Sequence, residues 1–226
     1  MAEPLRPLAD FLPLVLPEAP GVFNPLAVQA LRLSAAEYCT LTRCWRHAVS
    51  VTLTADGADP IVVPDHTSLF EIEAALWGDT REPLTPIAYT DVMDDWPLTQ
   101  AGTFPEYVTQ TSANTITVLP KVVGTLHLSA FIRPIAGPDD LIAPSGPTAD
   151  PYSAVNQVPA FLFNDVAETI ASGALARILR KPGQTYTNPD MAAFHMGLFQ
   201  QGADRNKRAS IRGKHRAVKR ARPVWF

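Results

Sequence analysis

The stretch PAFLFNDVAETIASGALARILRKPGQ, residues 159–184, carries the pattern that decides the fold. Its apolar residues recur at spacings of three and four, which predicts a helix with one buried face. Residues 171–174, Ala-Ser-Gly-Ala, are small, so a second helix can approach this one closely. Lys181, Pro182 and Gly183 then end the helix. The stretch therefore predicts a helix from about 159 that packs against other helices.

Other segments at both chain ends also read as helical. Asn24 as a cap and Pro25 at the first helical position predict a helix from about 25 to 46. Asn188–Pro189 repeats this signature, and the helix it opens loses its apolar periodicity near 203. Before them, PLADFLPLVLPEAPG predicts a short helix or two turns. We expect these segments to pack as a bundle, with packing contacts from Leu31, Tyr38, Leu41, Trp45, Phe163, Ile170 and Ile178.

The middle of the chain has the alternation and turn signals of short strands. AVSVTLTADG, IVVP, SLFEIEAALWGD, EYVTQ, TITVLP and GTLHLSAFIRP predict about six or seven of them, in an antiparallel sheet or small sandwich. The predicted fold class is therefore α+β, with an antiparallel helical bundle and an inserted β lobe. The boundaries are helical parts 1–46 and 159–204, β lobe 47–134, loop 135–158, and an extended C-terminal tail 205–226.

Charge is distributed very unevenly along the chain. Residues 205–226 carry nine of the 19 Lys and Arg residues and none of the 22 Asp and Glu residues, so the rest is strongly acidic. Such a segment can be a solvated tail, can bind nucleic acid, or can dock on an acidic protein surface with aromatic anchors. We favour docking, because the segment ends in two large aromatic residues. Its candidate site residues are Arg205, Lys207, Arg208, Arg212, Lys214, Arg216, Lys219, Arg220, Arg222, Trp225 and Phe226.

The chain offers little that indicates catalysis. It has no G-x-S-x-G, P-loop, G-x-G-x-x-G, H-E-x-x-H or C-x-x-C motif, and its five histidines are scattered. His127 is expected on the solvent face of a strand, and His195 on a helix surface or interface. Asp94–Asp95 would point about 100° apart on a helical turn and have no third ligand nearby, so a metal or acid–base role is not expected. Asp139–Asp140 follow Gly-Pro and are interpreted as turn or cap residues. We therefore predict no enzyme activity, no catalytic or metal-binding residue and no cofactor.

The two cysteines and the apolar runs bear on the compartment. Cys39 and Cys44, placed on one helix, would point about 140° apart, so a disulfide between them is not expected. Thiols fit a reducing cytoplasm. The N-terminal segment is acidic and rich in proline, unlike a signal peptide, and no run of about 18 apolar residues would cross a membrane.

Three stretches together resemble a known family. They are DFLPLVLPEAPGVFNPLAVQALRLSAAEYCTLTRCWR, ASGALARILRKPGQTYTNPDMAAFHMGLFQQGADR, and the basic segment closing on an aromatic residue. The chain resembles the head-to-tail adaptor (connector) proteins of tailed bacteriophages, which are related to tail tubular protein A. The resemblance covers the helical ends, whereas the β region matches in kind only.

The resemblance implies a structural virion protein at the head–tail junction, made in the bacterial host cytoplasm. Such adaptors form a ring, usually twelve-fold, below the portal protein, and extend the channel through which DNA passes during ejection without sequence-specific contact. They offer a platform to the next tail protein, such as a nozzle, tail-tube or terminator component. In several relatives the C-terminal segment reaches onto the portal. The corresponding segment here is Arg205–Phe226, with Trp225 and Phe226 as candidate anchors.

Two other functions stay open from the sequence. One is a nucleic-acid-binding protein that uses the basic segment, although no aromatic residue is interleaved between Arg205 and Arg222 for base stacking. The other is a hydrolase or carbohydrate-binding module in the β lobe. Its sugar-stacking candidates would be Trp77, Tyr89, Trp96 and Tyr107.

Overall fold

The computed structural model describes residues 4–54, 62–64, 67–91, 102–112, 114–135 and 157–212. The chain divides into two compact units, which we call the helical unit (Met1–Cys44 and Pro134–Phe226) and the sheet unit (Trp45–Arg133). Helices and strands are both present, which confirms the α+β class. The predictions for Asp94–Asp95, Trp96, Asp139–Asp140 and most of the 135–158 loop lie outside the described residues.

The helical unit is formed by both ends of the chain. A short strand near the start pairs antiparallel with one that precedes the helix of the opening stretch, and Arg6 faces Val158. Gln157 and Val158, predicted as loop, are therefore strand residues. In chain order the elements are β1 (Leu5–Pro7), a 3-10 helix (Leu8–Phe11), α1 (Leu12–Val15), α2 (Asn24–Thr42), β8 (Gln157–Pro159), α3 (Ala160–Leu179) and α4 (Pro189–Arg212).

The helices α2, α3 and α4 meet at Gly173 of α3. A Cβ atom at this position would overlap Ser34 Oγ of α2 and would lie 2.6 Å from the Phe199 ring of α4. The Ser34 hydroxyl is buried and donates a hydrogen bond to the Ile170 carbonyl, 2.8 Å away, so its polar group is satisfied by the neighbouring helix. Close approach at the small residues, as the sequence predicts, is thus confirmed at Gly173.

The helix α2 differs from its predicted bounds at both ends. Phe23, rather than Asn24, is its N-cap residue, and no side chain caps it. The helix stops at Thr42, four residues earlier than predicted, because Arg43 adopts a left-handed conformation with φ of 52°. Trp45 therefore lies beyond the helix, at the start of the sheet unit. The apolar spacing of the sequence continues to Trp45, so spacing alone predicted a helix that extends past this turn.

The described residues of the sheet unit form six strands in one sheet of order β2-β7-β3-β4-β5-β6. The pairs β2–β7, β3–β4 and β5–β6 are antiparallel, whereas β4 and β5 are parallel, so the purely antiparallel prediction is wrong. The long connection between β4 and β5 permits a parallel pairing that a hairpin would not. The strands are β2 (Arg46–Leu53), β3 (Thr67–Trp77), β4 (Glu82–Pro86), β5 (Tyr107–Gln110), β6 (Ile116–Leu119) and β7 (Gly124–Pro134).

The strand prediction is wrong at two places and correct at a third. Glu82–Pro86 was missed, because its two prolines argue against a strand. Val62 and Val63 of the predicted strand IVVP are not in a strand. In β7 the alternation holds: Leu126 and Leu128 are buried, whereas His127 lies on the other face, 2.7 Å from Ser50 Oγ through Nδ1. The expected position of His127 is confirmed.

A polar contact joins three neighbouring strands of the sheet. Arg46 of β2 donates two hydrogen bonds to the Glu73 carboxylate of β3, at 2.6 and 2.5 Å, and Ser129 of β7 donates a third at 2.7 Å. Burial raises the pKa of Glu73, but the hydrogen bonds from Arg46 and Ser129 and the charge of Arg46 outweigh it and lower that pKa overall. The ionised carboxylate therefore stabilises the sheet.

We expect Gly173→Ala to destabilise the helical unit by about 1–3 kcal/mol, because the added methyl group has no room between Ser34 and Phe199. Gly197→Ala in α4 is the matched control, since no atom of the described residues lies within 4 Å of the methyl group that alanine would add there. That change should stabilise the helix by up to about 1 kcal/mol. Urea unfolding of both variants measures the difference, and equal stability would contradict the close approach.

We expect acid to remove the stabilising effect of Glu73. Its folded-state pKa is lowered, so its contribution is present above the unfolded-state pKa of about 4.3 and is lost as pH falls through the folded value. Wild type should therefore exceed Glu73→Gln in free energy of unfolding near neutral pH, and the difference should shrink on acidification. Denaturant unfolding at several pH values measures it, with the exposed Glu106→Gln as control. A difference independent of pH would refute the assignment.

Candidate functional site

The helix α4 is the element that links the core to the basic segment. The Asn188 side chain accepts a hydrogen bond from the Met191 backbone N–H at 3.1 Å, which confirms the predicted cap and proline start. The Asn188 backbone N–H also donates to the Leu179 carbonyl at 2.9 Å, so the connection from α3 is fixed. The orientation of α4 is therefore set where the helix begins.

One face of α4 is used inside the helical unit. Ala192, Phe199 and Ala203 are buried at helical spacing. The Phe199 ring lies edge-on to Tyr38, with ring centroids 6.4 Å apart. Further along, a Cβ atom at Gly202 would lie 2.6 Å from Thr169 of α3, so the two helices are also close there. This inner face holds α4 against α3 over most of its length.

His195 lies on the inner face of α4, so of the two positions expected for it, helix surface or interface, the surface position is not the one observed. The residue is 4% exposed, and Nε2 lies 2.8 Å from Oε2 of Glu18, which follows α1. Nδ1 is also buried, without a hydrogen-bond partner among the described residues. Glu18 lies in the turn after α1, so the buried imidazole is in contact with the N-terminal segment. The contact ties the N-terminal segment to the last helix.

The opposite face of α4 is apolar as well, but exposed. Met191, Phe194 and Leu198 follow each other at spacings of three and four residues, so they form one stripe, which we call the α4 stripe. Phe194 is 57% exposed. The sequence did not predict this stripe, because apolar residues on a helix are interpreted as core until the packed face is known. An exposed apolar stripe is typical of a protein interaction site.

The basic segment begins on α4 rather than after it. The helix continues to Arg212, so the prediction of an extended tail is wrong for residues 205–212. No Gly or Pro occurs between 203 and 212, and Ala, Arg and Lys favour helix there. Arg205 and Lys207 are exposed on this extension. Arg208 and Arg212 lie in the helix, and the remaining candidates, Lys214, Arg216, Lys219, Arg220, Arg222, Trp225 and Phe226, lie outside the described residues.

The predicted packing residues differ in burial and in the unit to which they belong. Leu31, Tyr38, Ile170 and Ile178 are buried in the helical unit. Phe163 is half-buried, and its ring meets that of Phe11 edge-on with centroids 5.0 Å apart. Leu41 is exposed on α2 and Trp45 is buried in the sheet unit. Because Leu31, Tyr38, Ile170 and Ile178 are buried within one chain, they cannot contact a neighbouring subunit.

The described residues do not assemble a site with recognisable chemistry. Among them, no three His, Cys, Asp or Glu residues are grouped so that they could hold a metal ion. Of the sugar-stacking candidates, Trp77 is buried against Gly124 and Tyr107 is half-buried in β5. Tyr89 lines an open depression with Glu71. No helix in the described part of the chain is long and apolar enough to cross a membrane.

Comparison with protein families identifies a family for this chain. A family model described as "SU10 adaptor protein" matches residues 7–222, which is most of the chain and includes both units and α4. A search of curated proteins found no match. The matched range reaches from β1 through the helix extension into the basic segment. The chain therefore belongs to the SU10 adaptor protein family, a family of phage adaptor proteins.

Proposed function

We propose that this protein forms a ring at the head–tail junction of a tailed bacteriophage, where it joins the portal protein to the next tail protein. The observation that carries the proposal is the family match over residues 7–222. A phage adaptor is a structural virion component, so its work is done by contact surfaces. The apolar stripe and the positive charges of α4 support the more specific assignments of a subunit contact and a portal contact.

The α4 stripe is the proposed contact between neighbouring subunits of the ring. Most of the packing residues that the sequence predicted are buried inside the chain, so a ring contact needs a different surface. Met191, Phe194 and Leu198 offer one on a helix whose orientation is fixed by the core. A second copy of the chain is the occupant we assign, because in a ring each subunit presents one surface to one neighbour and a different surface to the other, so the α4 stripe would pack on another part of the adjacent subunit.

The distribution of charge suits a channel through which DNA moves. Outside residues 205–226 the chain has far more Asp and Glu than Lys and Arg. An acidic wall does not hold phosphate groups, so DNA can pass without sequence-specific contact. The positive charge is kept in one segment that can bind elsewhere.

The basic segment is the proposed portal contact. Arg205 and Lys207 are exposed on the extension of α4, so the helix itself presents the first positive charges of the segment. Trp225 and Phe226 follow as candidate anchors, because buried aromatic residues framed by basic ones are frequent hot spots of protein interfaces. Binding through charge implies that salt weakens the association.

We expect Phe194→Ser to impair ring assembly and to leave folding of the subunit intact, because this ring is exposed in the chain. Val123→Ser is the matched control: Val123 is 61% exposed, but lies in the sheet unit away from α4 in sequence. Negative-stain imaging and size exclusion with the portal protein measure assembly, and thermal unfolding measures the fold. If Phe194→Ser assembles as well as Val123→Ser, the α4 stripe is not the ring contact.

We expect deletion of residues 213–226 to abolish binding to the portal protein while α4 keeps its full length. Arg205→Glu combined with Lys207→Glu should weaken the same binding in a salt-dependent way, and Lys181→Glu, an exposed charge on another surface, should not. Co-migration with portal in size exclusion is the measurement. Unchanged binding by the truncated protein, together with a salt-sensitive DNA shift by the full-length chain only, would favour the nucleic-acid alternative instead.

A further inference from the structure

The end of α2 brings two thiols together. Cys39 lies in the last turns of the helix and is buried, and Cys44 lies two residues beyond the helix end and is half-buried. Their sulfur atoms are 4.0 Å apart. On one continuous helix the two residues would diverge, which is the arrangement predicted from the sequence. That expectation is wrong, because the chain turns at Arg43 and brings Cys44 back over the helix.

We propose that Cys39 and Cys44 are a modification site: they form a reversible intramolecular disulfide when the protein meets a small-molecule disulfide such as oxidised glutathione. A disulfide bond is about 2.05 Å long, so the two sulfurs need to approach by roughly 2 Å. The left-handed residue Arg43 fixes the turn between them, and the Arg43 backbone N–H donates to the Cys39 carbonyl at 2.9 Å. This hydrogen-bonded turn holds the two sulfur atoms 4.0 Å apart.

The difference in burial sets the order of the reaction. Cys44 is the more exposed thiol, so its thiolate attacks the small disulfide first, forms a mixed disulfide and releases one thiol. Cys39, 4.0 Å away, then attacks the Cys44 sulfur, loses its proton and displaces the second thiol. The protein is oxidised by two electrons, and one small disulfide is reduced to two thiols. The contact with Cys44 and burial raise the pKa of the Cys39 thiol, which agrees with Cys39 reacting second.

The location of the pair gives the bond a structural consequence. Cys44 is the last residue of the helical unit and Trp45 is the first of the sheet unit, so the closed loop lies where the chain leaves the helical unit. A bond to Cys39 anchors this exit point to the helix beside Tyr38, a core residue that is 1% exposed. The disulfide would hold the helix end against fraying at its left-handed turn.

The timing of the modification rests on the proposed function. A virion protein is made in a reducing cytoplasm and is exposed to an oxidising environment after release from the cell. The thiols would therefore stay reduced during assembly and become linked in the released particle. The chemical site itself does not depend on this assignment, because it rests on the two sulfur positions alone.

The test is to incubate the full-length protein with oxidised glutathione and a chelator, block the remaining thiols, and digest the denatured protein with trypsin. Trypsin cuts after Arg32, Arg43 and Arg46, so the cut at Arg43 falls inside the loop and yields LSAAEYCTLTR and CWR. We expect mass spectrometry to find these peptides joined, with a loss of about 2 Da relative to their sum, and separate after reduction. The oxidised protein should stay monomeric on a non-reducing gel.

Cys44→Ser is the first control and Cys39→Ala the second, and neither should give the joined peptide. A glutathione adduct that persists on Cys44, or a CWR–CWR product joining two chains, would overturn the site. The same digest is then made on the cytoplasmic protein and on purified particles, both alkylated at once. Joined peptide only in particles supports the timing, and its absence from particles overturns the timing. Neither result bears on ring assembly, which the portal experiments test separately.

Discussion

The absence of a side chain at Gly173 is the constraint on which the helical unit depends. At this position α3 passes so close to α2 and α4 that Ser34 and Phe199 occupy the space a methyl group would need. The Ser34 hydroxyl uses the short distance to reach the Ile170 carbonyl, so a polar group is buried without loss of a hydrogen bond. Because α2 comes from the first part of the chain and α3 and α4 from the last, this contact also joins the two ends around the sheet unit in sequence.

Sequence periodicity predicted the elements that depend on local spacing and missed those that depend on a single backbone angle. The apolar spacing of α3, the cap at Asn188 and the alternation of Leu126, His127 and Leu128 are local, and the structure confirms them. The end of α2 depends on the left-handed Arg43, and a non-glycine residue gives no sequence signal for that conformation. The approach of Cys44 to Cys39 follows from that turn, so it was missed for the same reason.

In the candidate site, too, some features can be predicted from the sequence and others only from the structure. The basic segment and its aromatic pair could be recognised from composition, because charge counts need no structure. The α4 stripe could not, since apolar residues on a helix read as core until the packed face is known, and the packed face here is that of Phe199 and Ala203. The contact of His195 with Glu18 joins two residues that lie far apart in sequence, so helical periodicity does not indicate it. Contacts between distant segments are what a single sequence shows least.

The uninterrupted course of α4 has a mechanical consequence. Its 24 residues form a helix about 36 Å long that packs closely on α3 at Gly173 and Gly202. Arg205 and Lys207 are exposed toward its C-terminal end. In a ring of the proposed kind, the core of each subunit would fix the direction of its own α4. The positively charged ends of these helices would then form a circular array with fixed spacing. A partner with matching symmetry would then meet many weak contacts at once, and their combined strength would exceed that of any single one by avidity. Recognition would thus depend on the completed circle, and a lone subunit would hold its partner only briefly.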